Sequence, residues 1–157
     1  MRFDRLLVIF LGIAVCIEFY SCTSAISKQM DFAEANFIKE VSIMTEKEAL
    51  SKEIDYYKAP EITLKQHSRS LTGKDLIHEC NIIISNEQER LKNRRILPMR
   101  TQSVEHIKEY ALGHPDDIVA NEFKFKGIFT HYGENKYGER SATIIVVPEL
   151  KRYIRID

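Results

Sequence analysis

From residue 28 to residue 44 the apolar side chains Met30, Ala33, Phe37, Val41 and Met44 recur at spacings of three and four, the signature of one helical face. Asp31, Glu34, Lys39 and Glu40 take the opposite side. Thr45 followed by Glu48 has capping-box form, so a second helical stretch presenting Ala49, Leu50, Ile54 and Tyr57 is predicted. It ends at Ala59-Pro60, because a residue before proline is pushed out of the helical region. Between residues 61 and 71, Ile62 and Leu64 alternate with polar positions and suggest a short strand. Thr72 with Asp75 then marks another helix start, and Leu76, Cys80, Ile83, Ile84 and Leu91 line one side of a helix predicted to reach about Arg95. Ser103 can cap a last helix carrying Val104, Ile107, Tyr110 and Ala111, which stops at Gly113 ahead of His114-Pro115.

After residue 120 the period changes from three and four to two. Phe123, Phe125, Gly127, Phe129 and His131 alternate with Lys124, Lys126 and Thr130, the pattern of a strand with one buried face. Residues 133–138 supply turn chemistry, residues 142–147 form a β-branched run, and Leu150, Ile154 and Ile156 alternate with Lys151, Tyr153 and Arg155. The expectation is an α+β domain of two layers: three or four helices followed by a small antiparallel sheet of about three strands, the helices covering one face. Over residues 28–157 such a domain buries enough surface to fold without a disulfide or metal staple.

Ahead of the folded region, Arg2 and Arg5 precede an apolar run from Leu6 to Ile17 that is shorter than the roughly 20 residues of a membrane span. A positive segment, a short apolar segment and then small residues is the order of a secretory signal, which predicts an exported chain with residues 1–21 removed. Ser21-Cys22 at the end of the run resembles the lipobox of bacterial lipoproteins, with Glu18, Phe19 and Tyr20 departing from the usual residues there. What the resemblance implies is cleavage before Cys22 and acylation of its thiol with palmitate-type chains. Residues 22–27 are then a short tether, and the domain is held on a membrane of the cell envelope. Each buried methylene contributes about 0.8 kcal/mol to such an anchor. Two alternatives stay open: cleavage after Ala25, where Thr23-Ser24-Ala25 offers small residues and the product is a soluble periplasmic or secreted protein, and an uncleaved anchor extended through Phe19 and Tyr20.

Charge narrows the partners. The 157 residues hold 23 Lys plus Arg against 23 Asp plus Glu, so no net positive field exists to draw nucleic acid, and no nucleic-acid partner is expected. With Cys16 in the signal and Cys22 acylated, Cys80 has no disulfide partner. His78-Glu79-Cys80 offers two metal-ligand types, but on a helix His78 and Cys80 point about 200 degrees apart, and neither HExxH nor a deaminase pattern is present. Cys80 falls in an apolar stripe, a poor setting for the thiolate that a cysteine-dependent hydrolase needs, although His67, His106, His114 and His131 are available as bases.

Three surfaces remain. Arg90, Lys92, Arg94, Arg95 and Arg100 form a basic stretch that suits anionic head groups, or equally a helix C-terminus, whose dipole favours cations. His131, Tyr132 and Tyr137 surround a hairpin turn, a place where recognition residues are often displayed. Phe123, Phe125, Phe129, His131 and Tyr153 are candidates to line a small-ligand pocket between the helices and the aromatic strand face. The expected function is a non-catalytic binding or structural role in the envelope, with no cofactor or metal, a membrane contact through lipid and an envelope protein as possible partner. A small-ligand domain is the alternative.

Overall fold

Ile144, Ile145, Val146 and Val147 are all buried, so the strand that carries them is covered on both faces. That observation sets the architecture. The computed structural model describes residues 23–41, 61–91, 99–131 and 136–156. Its elements in chain order are α1 (residues 23–41), β1 (Glu61–Thr72), α2 (Gly73–Leu91), α3 (Met99–Leu112), β2 (Ile118–His131), β3 (Lys136–Val147) and β4 (Arg152–Ile156). The four strands form one antiparallel sheet in the order β1-β2-β3-β4.

The α+β class is as expected, with differences in count and order. The sheet has four strands, because the short strand suggested over 61–71 pairs with β2 as β1 and so joins the sheet ahead of α2 and α3. Helices lie on both faces, so the domain has three layers where two were expected. On one face Ala33, Phe37 and Val41 of α1 pack with Phe123, Phe125, Ala142, Ile144 and Val146. On the other, Leu76, Cys80 and Ile83 of α2 and Val104, Ile107 and Ala111 of α3 pack with Leu71, Ile145, Val147 and Ile154. Alternate residues of β3 therefore feed two separate cores.

Local chemistry explains the element ends. Thr72 caps α2 as a reciprocal box: its N–H and hydroxyl donate to Asp75 Oδ2 at 3.0 and 2.8 Å, and the Asp75 N–H donates back to Thr72 Oγ1 at 3.3 Å. The next position must be glycine, since a Cβ on Gly73 would strike the carbonyl oxygen of His114. Closeness there lets the Gly73 and Lys74 N–H groups donate to the carbonyls of Asp117 and Pro115, each at 3.0 Å. The helix α1 already includes residues 23–27, the stretch expected as a tether, and Ile26 packs against the core. The expected helix over 45–57 lies outside the described residues, as does residue 22.

Candidate functional site

Between α1 and α3, beside the outer edge of β4, a cleft of about 450 Å³ is lined by Phe32 and Glu40 of α1, Ser103 and Val104 of α3, and residues 151–155. The β3–β4 turn builds one wall. Lys151 closes that turn in the left-handed region at φ 49, with its N–H donating to the Pro148 carbonyl at 3.0 Å. Holding a non-glycine residue there costs of order 1 kcal/mol. The turn is thereby committed to presenting Lys151 and Arg152 side by side.

Glu40 organises the interior of the cleft. The Tyr153 hydroxyl donates to its Oε1 at 2.6 Å and Arg155 Nη1 donates to its Oε2 at 2.8 Å. Arg155 is well enclosed, its side chain only 11% exposed. Its hydrogen-bonded ion pair is therefore of the stronger, partly desolvated kind. Phe32 meets the Tyr153 ring edge-on with centroids 6.0 Å apart. With Glu40 satisfied by two donors, the lining among the described residues carries Lys151, Arg152 and Arg155 against a single carboxylate. The cleft therefore favours anions, and the edge of β4 supplies backbone hydrogen-bonding groups beside them.

Two further polar clusters lie within the sheet. On the α1 face the buried Asn121 accepts from Ser70 Oγ at 2.7 Å, stands 3.1 Å from His67 Nε2 and donates to Gln29 Oε1 at 2.8 Å. On the opposite face Arg69 bridges Glu122, at 3.2 and 3.1 Å, and Glu79, at 2.7 Å. The Glu122 hydrogen bond holds the Arg69 guanidinium above its already high ordinary pKa. Both clusters are internally satisfied, so they serve as fastenings between layers.

The expected site residues fall in several places. Phe123 and Phe125 are core side chains; Phe125 stacks on Phe37 at 5.5 Å, and Phe123 lies 5.4 Å from the His67 ring. Of the aromatic set, Tyr153 lines the cleft, and Phe123 and Phe125 do not. Phe129 and His131 belong to β2 and Tyr137 to β3, but their side chains lie outside the described part, together with Tyr132 and the basic stretch Arg90, Lys92, Arg94, Arg95 and Arg100. Cys80 is fully buried, and desolvation pushes its thiol up to about 11. A thiol held in that protonated form is a poor nucleophile. His78, two residues before it, is exposed.

The pairing of Glu40 with Tyr153 and Arg155 escaped sequence reasoning. More than 110 positions separate the partners, and no local pattern joins them. Among the described residues no three His, Cys, Asp or Glu side chains converge on a metal position. None of the described helices is long and apolar enough to cross a membrane. No protein-family model, curated protein or solved structure matches this chain.

Proposed function

We propose that this is an exported protein, lipid-anchored through Cys22 to a membrane of the cell envelope, whose α+β domain binds a partner protein without catalysis. The N-terminal signal and Ser21-Cys22 support the anchor, and the cation-rimmed cleft along β4 is the single observation that carries the binding role. An extended segment bearing acidic side chains suits this cleft. Its backbone can add to the β4 edge, while Lys151 and Arg152 receive its charges. Phe32 and Val104 supply apolar walls from the two flanking helices.

Two measurements test the reading. The intact mass of the protein from its host's membranes is expected to fit a chain starting at Cys22 with acyl groups, lost in Cys22→Ala; an unmodified chain starting at Ile26 defeats the anchor. A photo-reactive side chain at Ser103 is expected to give a discrete adduct with one envelope protein that disappears in Arg152→Glu. An adduct pattern indifferent to that charge reversal defeats the cleft. A small-ligand role is the second reading, favoured by Tyr153, whose ring and hydroxyl both border the cleft.

A further inference from the structure

The sheet face under α2 and α3 is only half covered. Strand alternation puts Glu122, Lys124 and Lys126 of β2 on this face together with Ser141, Thr143, Ile145 and Val147 of β3. Glu122, Ile145 and Val147 are buried, whereas Lys124, Lys126 and Ser141 are exposed. Among the described residues nothing covers this second group.

The bare rows have a definite chemistry. Lys124 pairs across the ladder with Thr143, Lys126 with Ser141, and Leu64 of β1 stands opposite Lys126. With Ile156 they border a shallow depression of about 260 Å³. Two residues along a strand set the lysines about 7 Å apart on one face. Lys126 reaches Glu139 at 3.4 Å, a long and exposed ion pair, and Lys124 has no anionic partner among the described residues.

The outer surface of α3 is the converse. Val104, Ile107 and Ala111 turn inward to the core, which leaves Glu105 and Glu109 exposed on the outer side. One helical turn, about 6 Å, separates these two carboxylates. Leu112 continues the same stripe and is 59% exposed. Neither carboxylate has a cation partner among the described residues, and the intervening Lys108 is half-buried, close enough to Cys80 to bear on its thiol.

We propose that two copies of this chain pair face to face, each laying the outer side of its α3 on the bare half-sheet of the other. Glu105 and Glu109 then meet Lys124 and Lys126 at closely matched spacing. The exposed Leu64 and Leu112 bring apolar surface to the same contact. The helices stand above the sheet and the bare rows form a step beside them, so the helices of one copy fill the step of the other. Because both surfaces lie on one side of the sheet, each copy gives and receives at once. The pair therefore closes about a two-fold axis instead of growing into a chain. A second copy is favoured over an unrelated acidic helix because this chain itself carries the matching stripe. None of these residues lines the β4 cleft, and the pairing depends neither on that cleft nor on Cys22.

Charge exchange provides the test. The full chain in a neutral detergent, followed by sedimentation equilibrium, is expected to form dimers. One variant carries Lys124→Glu with Lys126→Glu, and another carries Glu105→Lys with Glu109→Lys; all four side chains are exposed, and melting curves report that both variants are folded. Each variant alone is expected to pair at least about tenfold more weakly, since like charges then meet in both contacts. An equimolar mixture is expected to regain the native affinity, because both contacts of the mixed pair again join opposite charges. A native chain that stays monomeric at about 100 µM overturns the proposal. So does a dimer indifferent to either reversal, or a mixture that pairs no better than its components. Salt gives a readout that needs no variant: raising ionic strength to about 0.5 M is expected to weaken the native pair, and pairing that is unchanged or tightened overturns the charge complementarity.

Discussion

The two faces of the sheet are closed in different ways. On one, α2 and α3 form a hairpin continuous with β1 and β2, and their apolar residues interlock with Ile145, Val147 and Ile154. On the other, α1 is a single helix whose partners lie about 30 to 115 positions further along the chain, most of them beyond residue 120. Each face has one buried polar residue of β2 as its fastening, and these are neighbours. Asn121 holds α1 through neutral amide and hydroxyl groups, whereas Glu122 holds α2 through the ionic bridge of Arg69 and Glu79. A helix joined by short connections needs little fixing, while a remote one must be secured along its length. Gln29, Glu34, Phe37 and Glu40 of α1 all make long-range contacts.

The largest effect is expected from Phe37→Ala, which empties the stacked position over Phe125 and costs about 3 to 5 kcal/mol in denaturant unfolding. Hydrogen exchange should then open α1 first and leave α2 protected; equal opening of both would mean that the faces are not separately closed. A smaller pair of effects distinguishes the fastenings. Arg69→Met should cost about 3 kcal/mol, because it leaves the buried Glu122 carboxylate without its cation, with the share from the more exposed Glu79 pair shrinking in 1 M salt. Asn121→Leu strips a partner from Ser70, His67 and Gln29 and should cost about 2 kcal/mol at any ionic strength. An Asn121 effect that is equally salt-sensitive would erase the distinction.

The smallest effect concerns acid. Hydrogen bonds from Thr72 hold the Asp75 carboxyl below its ordinary value of 3.8, so its stabilising contribution is complete above that pH and is lost as pH falls through the lowered value. Asp75→Asn should therefore lower Tm slightly in the neutral region, with the difference from the native curve shrinking as pH falls below about 4. A difference that persisted undiminished in strong acid would place the role of Asp75 elsewhere than in its charge.

Much of this fold is visible in local patterns. The Thr72–Asp75 box, the Cys80 stripe, the stop at Gly113 and the alternation of Phe123 and Phe125 all rest on neighbours in the chain. Residues 23–27 were harder, since Thr23, Ser24 and Ser27 read as tether, yet Ile26 extends the series Met30, Ala33, Phe37 and Val41 by one more step of four. Strand β1 looks short because irregularities at Ile62/Leu64, His67/Arg69 and Leu71/Thr72 break its alternation, while its backbone pairs with β2 throughout. Burial of the whole run Ile144 to Val147 carried the message of a sheet covered twice, and a single-faced sheet would have needed polar residues at every second position. The cleft was illegible for a different reason: Glu40, Tyr153 and Arg155 meet only after the sheet has formed.

Placing Asn121 and Glu122 next to each other also guards the fold during assembly. If β2 slipped by one residue against its neighbours, every side chain would change faces. The carboxylate would then be buried against Gln29 without a cation, and Arg69 would face an amide unable to neutralise it. Such a mispaired arrangement carries an uncompensated buried charge, a penalty of several kcal/mol. This polar couple therefore makes the native strand alignment the one in which both faces close without a stranded charge.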